Sequence, residues 1–163
     1  MRYKRRADYK SGIYRPINCQ KFGAVKCQYR SSWEHDFLRW ADYNDKITKV
    51  LYEKIIVPYI CKTDGKMHRY YVDCAIEMKE GKETKKWLVE IKPFRQTIPP
   101  KESKKKKPVT IITEKLNWVK NQSKWDSAKK YCRKMGYRWC IITEKGIYLD
   151  DKFHELKIFG KNV

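Results

Sequence analysis

Acid is what this 163-residue chain is short of. It carries 19 Asp and Glu against 39 Lys and Arg, a formal net charge of +20. An excess of that size implies a polyanionic partner, nucleic acid first. No apolar run is long enough to span a bilayer, which excludes a transmembrane helix. No apolar stretch follows the charged start Met1-Arg2-Tyr3-Lys4-Arg5-Arg6, so no signal peptide is expected. A basic helix with a broad apolar face is missing too, which argues against a membrane surface as the polyanion. The six cysteines, Cys19, Cys27, Cys61, Cys74, Cys132 and Cys140, contain no CxxC pair. That excludes a zinc ribbon or a dithiol redox motif, and Cys19, Cys27 and His35 are poorly spaced for zinc. Reduced thiols in a cytosolic setting are the expectation. No internal repeat is apparent.

What remains is ample for one core. Hydrophobic residues make up 41%, including six Trp, twelve Tyr and five Phe, so a single folded domain is expected. Residues 1–28 read as an irregular basic arm, with scattered Arg and Lys and no sustained period. Ser31 to about Asn44 reads as a helix: Ser31 and Glu34 have capping-box spacing, and Trp33, Phe37, Trp40 and Ala41 form one apolar stripe. Three strands follow, over Lys49–Tyr59, His68–Met78 and Lys85–Lys92. The turns at Asp64-Gly65 and Glu80-Gly81-Lys82 predict an antiparallel meander. Thr97–Pro108 reads as a lysine-rich loop. Thr113–Met135 is a second helix with Trp118, Trp125, Ala128, Cys132 and Met135 on one side, stopped by Gly136. Arg138–Thr143 is a fourth strand; reached through a helix, it should pair in parallel. The expected architecture is α/β, a mixed sheet of about four core strands flanked by helices. A core over 29–145 and a C-terminal extension over 146–163 complete the division.

Against the basic background, Glu34, Asp73, Glu90 and Lys92 stand out. Side chains alternate along a strand, so Glu90 and Lys92 share a face, roughly 7 Å apart along the rise, while Trp87, Val89 and Ile91 take the other. Hydrolysing a phosphodiester needs a hard cation held by oxygen ligands and a group that orients water or neutralises developing charge. Asp73 and Glu90 offer carboxylates, the Ile91 carbonyl a further oxygen, Lys92 the ammonium. Glu34 either supports metal or only caps its helix. Glu90 and Lys92 alone could be an exposed strand-end ion pair; Asp73, in an apolar strand, wants a partner. Arg30, Arg69, Arg95, Gln96, Lys104, Lys105, Lys106, Lys107, Lys120 and Lys124 are candidates for phosphate contacts. Trp118 and Trp125 either stack on bases or pack in the core.

Asp73 followed by Glu90-Ile91-Lys92 on the next strand, with Glu34 on the preceding helix, resembles the PD-(D/E)XK nuclease superfamily. The segments Tyr29-Arg30-Ser31-Ser32-Trp33-Glu34, Glu53, Ile56-Val57-Pro58-Tyr59, Asp64-Gly65-Lys66-Met67-His68-Arg69-Tyr70-Tyr71-Val72-Asp73 and Val89-Glu90-Ile91-Lys92-Pro93 are similar, more narrowly, to the head completion nucleases of T-even-type tailed phages. The TnsA-type transposase endonucleases are more distant kin. The resemblance covers roughly residues 28–145. It implies a restriction-endonuclease-like fold and a Mg2+-dependent DNA endonuclease, with Mn2+ as a substitute. It also implies a role in finishing the packaged head, in the host cytoplasm or the virion. Double-stranded DNA would be the substrate, phage portal or head-neck proteins the partners, with no membrane and no small-molecule cofactor. Val72 stands where the family has proline. Glu53 also matches the family and reads as structural or as a supporting partner, a full hairpin before the site. Two other readings use the same residues: a catalytically silent head or neck component binding the DNA end, and a Holliday-junction or transposon-end nuclease.

Overall fold

The computed structural model describes residues 10–149 and 152–154. The expected irregular arm is largely ordered. Strand β1 (Gly12–Tyr14) pairs antiparallel with β2 (Cys27–Tyr29), and one turn of helix, α1 (Cys19–Phe22), lies between them. The cause is a buried acid at the end of the next helix, α2 (Ser32–Tyr43). The Asp42 carboxylate accepts from the Tyr14 hydroxyl at 2.7 Å, the Ile17 N–H at 2.8 Å, and the N–H and amide of Asn18 at 3.1 and 3.0 Å. Lys21 Nζ donates to the carbonyls of Ala41, Asp42 and Asn44 at 3.1, 2.8 and 3.1 Å, satisfying carbonyls that a helix end leaves open. These contacts have no period, so the sequence pattern does not reveal them. Residues 1–9 lie outside the described part.

Helix α2 follows the capping-box reading. Ser31 Oγ accepts the Glu34 N–H at 3.2 Å, and Phe37, Leu38 and Ala41 are buried, with Trp33 and Trp40 packed at the edge.

The expected strands over 49–59 and 68–78 are each broken in two. The chain forms β3 (Ile47–Tyr52), β4 (Ile56–Ile60), β5 (Met67–Tyr71) and β6 (Cys74–Glu80). Strand β3 pairs with β6 in the main sheet, and β4 pairs with β5 in a separate ribbon. The break is a bulge: between the pairs Tyr52↔Cys74 and Ile56↔Tyr71, residues 53–55 face only residues 72 and 73. Glu53 takes up the mismatch at φ +49°, the single non-glycine residue with positive φ among those described. The ladder survives through Glu53 N–H to Asp73 C=O and Val72 N–H to Ile55 C=O, both 3.0 Å. Such bulges bend a hairpin and re-aim side chains. Asp73 therefore sits at a bend, not in mid-strand.

Strand β7 (Glu83–Ile91) runs antiparallel to β6. A turn of 3-10 helix follows at Phe94–Gln96, then the long helix α3 (Pro108–Met135). It starts five residues before the expected Thr113, because proline is tolerated at a first helical position. Gly136 closes it at φ +73°. Met135, expected inward, is exposed. Strand β8 (Arg138–Ile142) pairs parallel to β7 as expected. The tail supplies β9 (Ile147–Leu149) and β10 (Lys152–His154), extending one sheet in the order β10-β9-β8-β7-β6-β3. The β1–β2 and β8–β9 ladders cross the expected boundaries at residues 28 and 146. The described part of each flank thus pairs with residues of the core.

The sheet separates two cores. One, against α2, collects Phe37, Leu38, Val50, Cys74, Val89 and Ile91; the other, against α3, collects Val57, Tyr70, Val72, Leu88, Ala128 and Cys132. Odd positions of β7 thus face α2 and even ones face α3, which sends Glu90 and Lys92 towards α3. No described helix is long and apolar enough to cross a membrane, and the six cysteines are free thiols.

Asp42→Ala removes the acceptor for four donors. We expect a loss of about 2–4 kcal/mol in denaturant unfolding. Burial opposes the Asp42 charge, but its hydrogen bonds outweigh burial and hold its carboxyl below the ordinary range. Its contribution is therefore present above the ordinary carboxylate pKa. It is lost as pH falls through the depressed folded value, which a pH series of unfolding curves reads directly.

Candidate active site

At the bulge the backbone of β6 turns away from β7. The last pair is Cys74↔Val89, so the Ile91 N–H, two residues on, faces no strand. The Asp73 side chain takes that place: Oδ2 accepts the Ile91 N–H at 2.8 Å. An extended residue points its N–H and C=O to the same edge, so the Ile91 carbonyl opens on the side where Asp73 lies. The Lys92 N–H turns the other way, to the Ile142 carbonyl at 3.0 Å.

Glu90 is almost completely buried, with 1% of its surface exposed. Its Oε1 is 2.9 Å from Lys92 Nζ, and its Oε2 accepts the Tyr70 hydroxyl. Tyr70 comes from β5, beyond the bulge, so the bend that re-aims Asp73 also brings Tyr70 over Glu90. Each Glu90 oxygen has one partner and keeps a lone pair for another.

The electrostatics follow from crowding a buried acid, a half-buried acid and a half-buried base together. Burial, joined by the Glu90 charge and opposed by Lys92 and the Ile91 N–H, holds the Asp73 carboxyl well above its ordinary range. Burial works to lower the Lys92 ammonium, but Glu90 and Asp73 outweigh it and hold Lys92 above its ordinary value, firmly protonated. Burial and the Glu90 charge push the Tyr70 hydroxyl well up, so it stays a donor.

Glu34 borders this group without touching it. Its Oε2 accepts the Arg30 N–H and the Tyr52 hydroxyl, both at 2.8 Å, and its Oε1 lies 3.1 Å from Ser31 Oγ. Its charge still reaches Asp73 and Lys92, raising both. Glu53 is nearer to the site than its place in the chain suggests: it opposes Asp73 across the bulge and pairs with Arg30 at 2.5 Å. Arg30 is thereby engaged with an acid, at the edge of the site. Tyr70 belongs to the site although no motif role marks it in the sequence. The signal for it is alternation, since His68, Tyr70 and Val72 share the face that closes on α3.

A cleft of about 710 Å³ opens above Lys92, between α3 and residues 95–106; Arg95, Gln96, Lys106, Lys120, Lys124 and Trp118 line it. The Phe94 N–H bonds Glu144 at 2.8 Å, which fixes the turn that carries Arg95 and Gln96. Lys124 lies over the Tyr70 ring at 5.4 Å. Burial, with repulsion from Lys92 and Lys120 and against the pull of Glu90, holds its ammonium below the ordinary value. Lys106 pairs with Glu114 at 2.6 Å. Arg69, on the outer face of β5, and Lys104, Lys105 and Lys107 do not line this cleft. Trp125 is core, whereas Trp118 lines the cleft.

The donor set suits a hard divalent cation: carboxylate and carbonyl oxygens at one bend, with surplus negative charge that a cation would relieve. A mixed sheet with an acid at a bent hairpin and Glu-x-Lys on the adjoining strand defines a restriction-endonuclease-like nuclease. The chain belongs to the TnsA-like endonuclease family, matching its N-terminal domain over residues 44–144. It is also 33% identical, over 147 residues, to the head completion nuclease of Enterobacteria phage T4, covering 84% of this chain and 93% of that protein.

Because Asp73 titrates high, its protonated form contributes stability that is full below the ordinary carboxylate pKa and is lost as pH rises through the raised folded value. Asp73→Asn keeps an oxygen for the Ile91 N–H and removes the charge. Without divalent metal we expect its thermal midpoint to exceed wild type by at least roughly 2 °C. Added Mg2+ should raise the wild-type midpoint and leave the variant's unmoved. A calorimetric scan of both proteins with and without Mg2+ checks this.

Proposed function

We propose that this nuclease is a Mg2+-dependent DNA endonuclease that acts in completing the phage head after DNA packaging. Asp73, Glu90 and the Ile91 carbonyl would hold the metal, with Mn2+ as a substitute. The observation that carries this reading is that Asp73, from the bulge, bonds the strand end between Glu90 and Lys92, while Lys92 pairs with Glu90 and lines a basic cleft. Bound there, the metal supplies a Lewis acid to the scissile phosphate. Lys92, protonated and aimed by Glu90, orients the attacking water and neutralises charge that develops on the phosphate. Tyr70 fixes Glu90 from the opposite side. Glu34 would support the metal while anchoring the helix start.

Lys106, Lys120, Lys124 and Arg95 take the phosphates flanking the scissile bond. Cationic contacts of this type bind phosphates without reading sequence, which suits double-stranded DNA. The head-completion role and the expected portal or head-neck partners rest on the similarity to the phage T4 protein. On this reading the chain works in the host cytoplasm or the virion, at its head-neck region.

Nicking of supercoiled plasmid tests the chemistry. Wild type should nick with Mg2+ and not with chelator. Asp73→Ala, Glu90→Ala and Lys92→Ala should each lose at least about a hundredfold while remaining folded. Undiminished nicking by folded Asp73→Ala or Glu90→Ala would remove the site. Glu34→Gln can still accept from Arg30 and Tyr52, so its thermal midpoint should hold while most activity goes; full activity would leave Glu34 a capping residue only.

The cleft makes a separate forecast for binding. Lys120→Ala with Lys124→Ala should lower the log–log salt slope of DNA affinity by roughly 0.9 for each phosphate no longer neutralised. Replacing Lys104, Lys105 and Lys107, outside the cleft, should change the slope less. Equal slopes in the two variants would relocate the DNA track to the lysine-rich loop.

A further inference from the structure

The β4–β5 ribbon ends in a turn that gathers three ligand types outside the nuclease site. Cys61 leaves β4, Asp64 sits in the turn, and His68 returns on β5. Their ligand atoms all lie within 4.8 Å of one another. The turn is built tightly: the N–H groups of Asp64 and Gly65 bond the Cys61 carbonyl at 3.3 and 2.8 Å, and the Cys61 N–H bonds the Lys66 carbonyl at 2.9 Å. Gly65 takes φ +67°, a left-handed position that suits glycine. The His68 ring packs on Tyr59 at 5.6 Å between centroids, which limits its orientation.

We propose that Cys61, Asp64 and His68 form a second metal site, specific for a thiolate-preferring divalent ion of the Zn2+ class and separate from the Asp73–Glu90 centre. Thiolate and imidazole are ligands that Zn2+ takes readily and Mg2+ does not. With bonds of about 2.0–2.3 Å, two donors on one tetrahedral ion stand less than ~4 Å apart. The observed spread closes with small side-chain rotations. Three protein donors leave the fourth position to water, since Asp64 and His68 lie on the open side of the turn. The donors' present partners are each other and a neighbour: His68 Nε2 lies 2.8 Å from Asp64 Oδ2, and Cys61 Sγ lies 2.9 Å from Thr63 Oγ1. An ion would take over the first contact. Binding an ion here would release the Cys61 proton, so affinity should rise with pH.

The site would stiffen the ribbon that matters to the nuclease centre. The turn is tied to α3 through the Lys62 N–H to Ser123 Oγ at 3.2 Å and through Lys62 to Asp126 at 3.6 Å. The same ribbon carries Tyr70 onto Glu90.

Cobalt titration of the chelator-treated full chain tests this, with no DNA present. One equivalent of Co2+ should produce the intense visible bands of a four-coordinate ion and a near-ultraviolet thiolate-to-cobalt band. Zn2+ should displace it, and a large excess of Mg2+ should not. Cys61→Ser should abolish the thiolate band, His68→Gln should weaken Co2+ binding by at least about tenfold, and Asp73→Asn should leave the band intact. The proposal is overturned if folded wild type gives no band or if the band persists in Cys61→Ser. It is overturned equally if affinity is unchanged in His68→Gln, a partly exposed position that decides the matter should Cys61→Ser fail to fold. Because the readout is spectroscopic, its failure would leave plasmid nicking and the nuclease reading untouched.

Discussion

One hydrogen bond organises the site: the Ile91 N–H donating to the Asp73 carboxylate. It exists because the β3–β6 hairpin bends one residue out of register before β7 ends. A straight hairpin would continue the β6–β7 register, offering the Ile91 N–H the Val72 carbonyl and leaving no place there for the Asp73 side chain. The bend instead puts a side-chain oxygen where the ladder stops. The acid is thereby fixed beside the next strand's Glu-x-Lys, and Tyr70 is folded down over it. A slip of one residue at the bulge would dismantle all of these contacts together, since register decides which face every side chain takes.

The scarcity of acid shapes the rest. Several of the described carboxylates are structural instruments. Asp42 collects the N-terminal segment, Glu34 joins a helix start to Tyr52, and Glu53 pairs with Arg30 across the bulge. Glu90 is packed out of water and Asp73 half-buried beside it, with a single lysine. Such a group is costly to bury with its charges unbalanced, and its high-titrating acid records that cost. The cationic excess meanwhile lies at the surface and along the cleft above Lys92, so attraction for a polyanion is focused on the same spot as the acids.

Much of this was legible in the chain. Capping-box spacing and an apolar stripe located α2, alternation put Glu90 and Lys92 on one face, and a helix between strands foretold the parallel β7–β8 pair. The TnsA-like match and the likeness to the phage T4 nuclease agree with the family read from those motifs. The departures from pattern share a cause. The broken strands and the ordered segment around Asp42 and Lys21 both depend on contacts between residues far apart in sequence, which periodicity does not register.

The sequence by itself determined the polyanionic class of partner, the order of the main elements and the residue types offered at the candidate centre. Net charge, hydrophobic period and the residue types at 73, 90 and 92 are local properties that need no neighbour to be read. Only the tertiary structure decided that Asp73 lies at a bend and that Tyr70 closes on Glu90. It also decided that Glu53 opposes Asp73 and that Cys61, Asp64 and His68 meet in one turn. The physical reason is register: a single extra residue in one strand leaves composition and period almost unchanged, yet it resets which side chains converge in space.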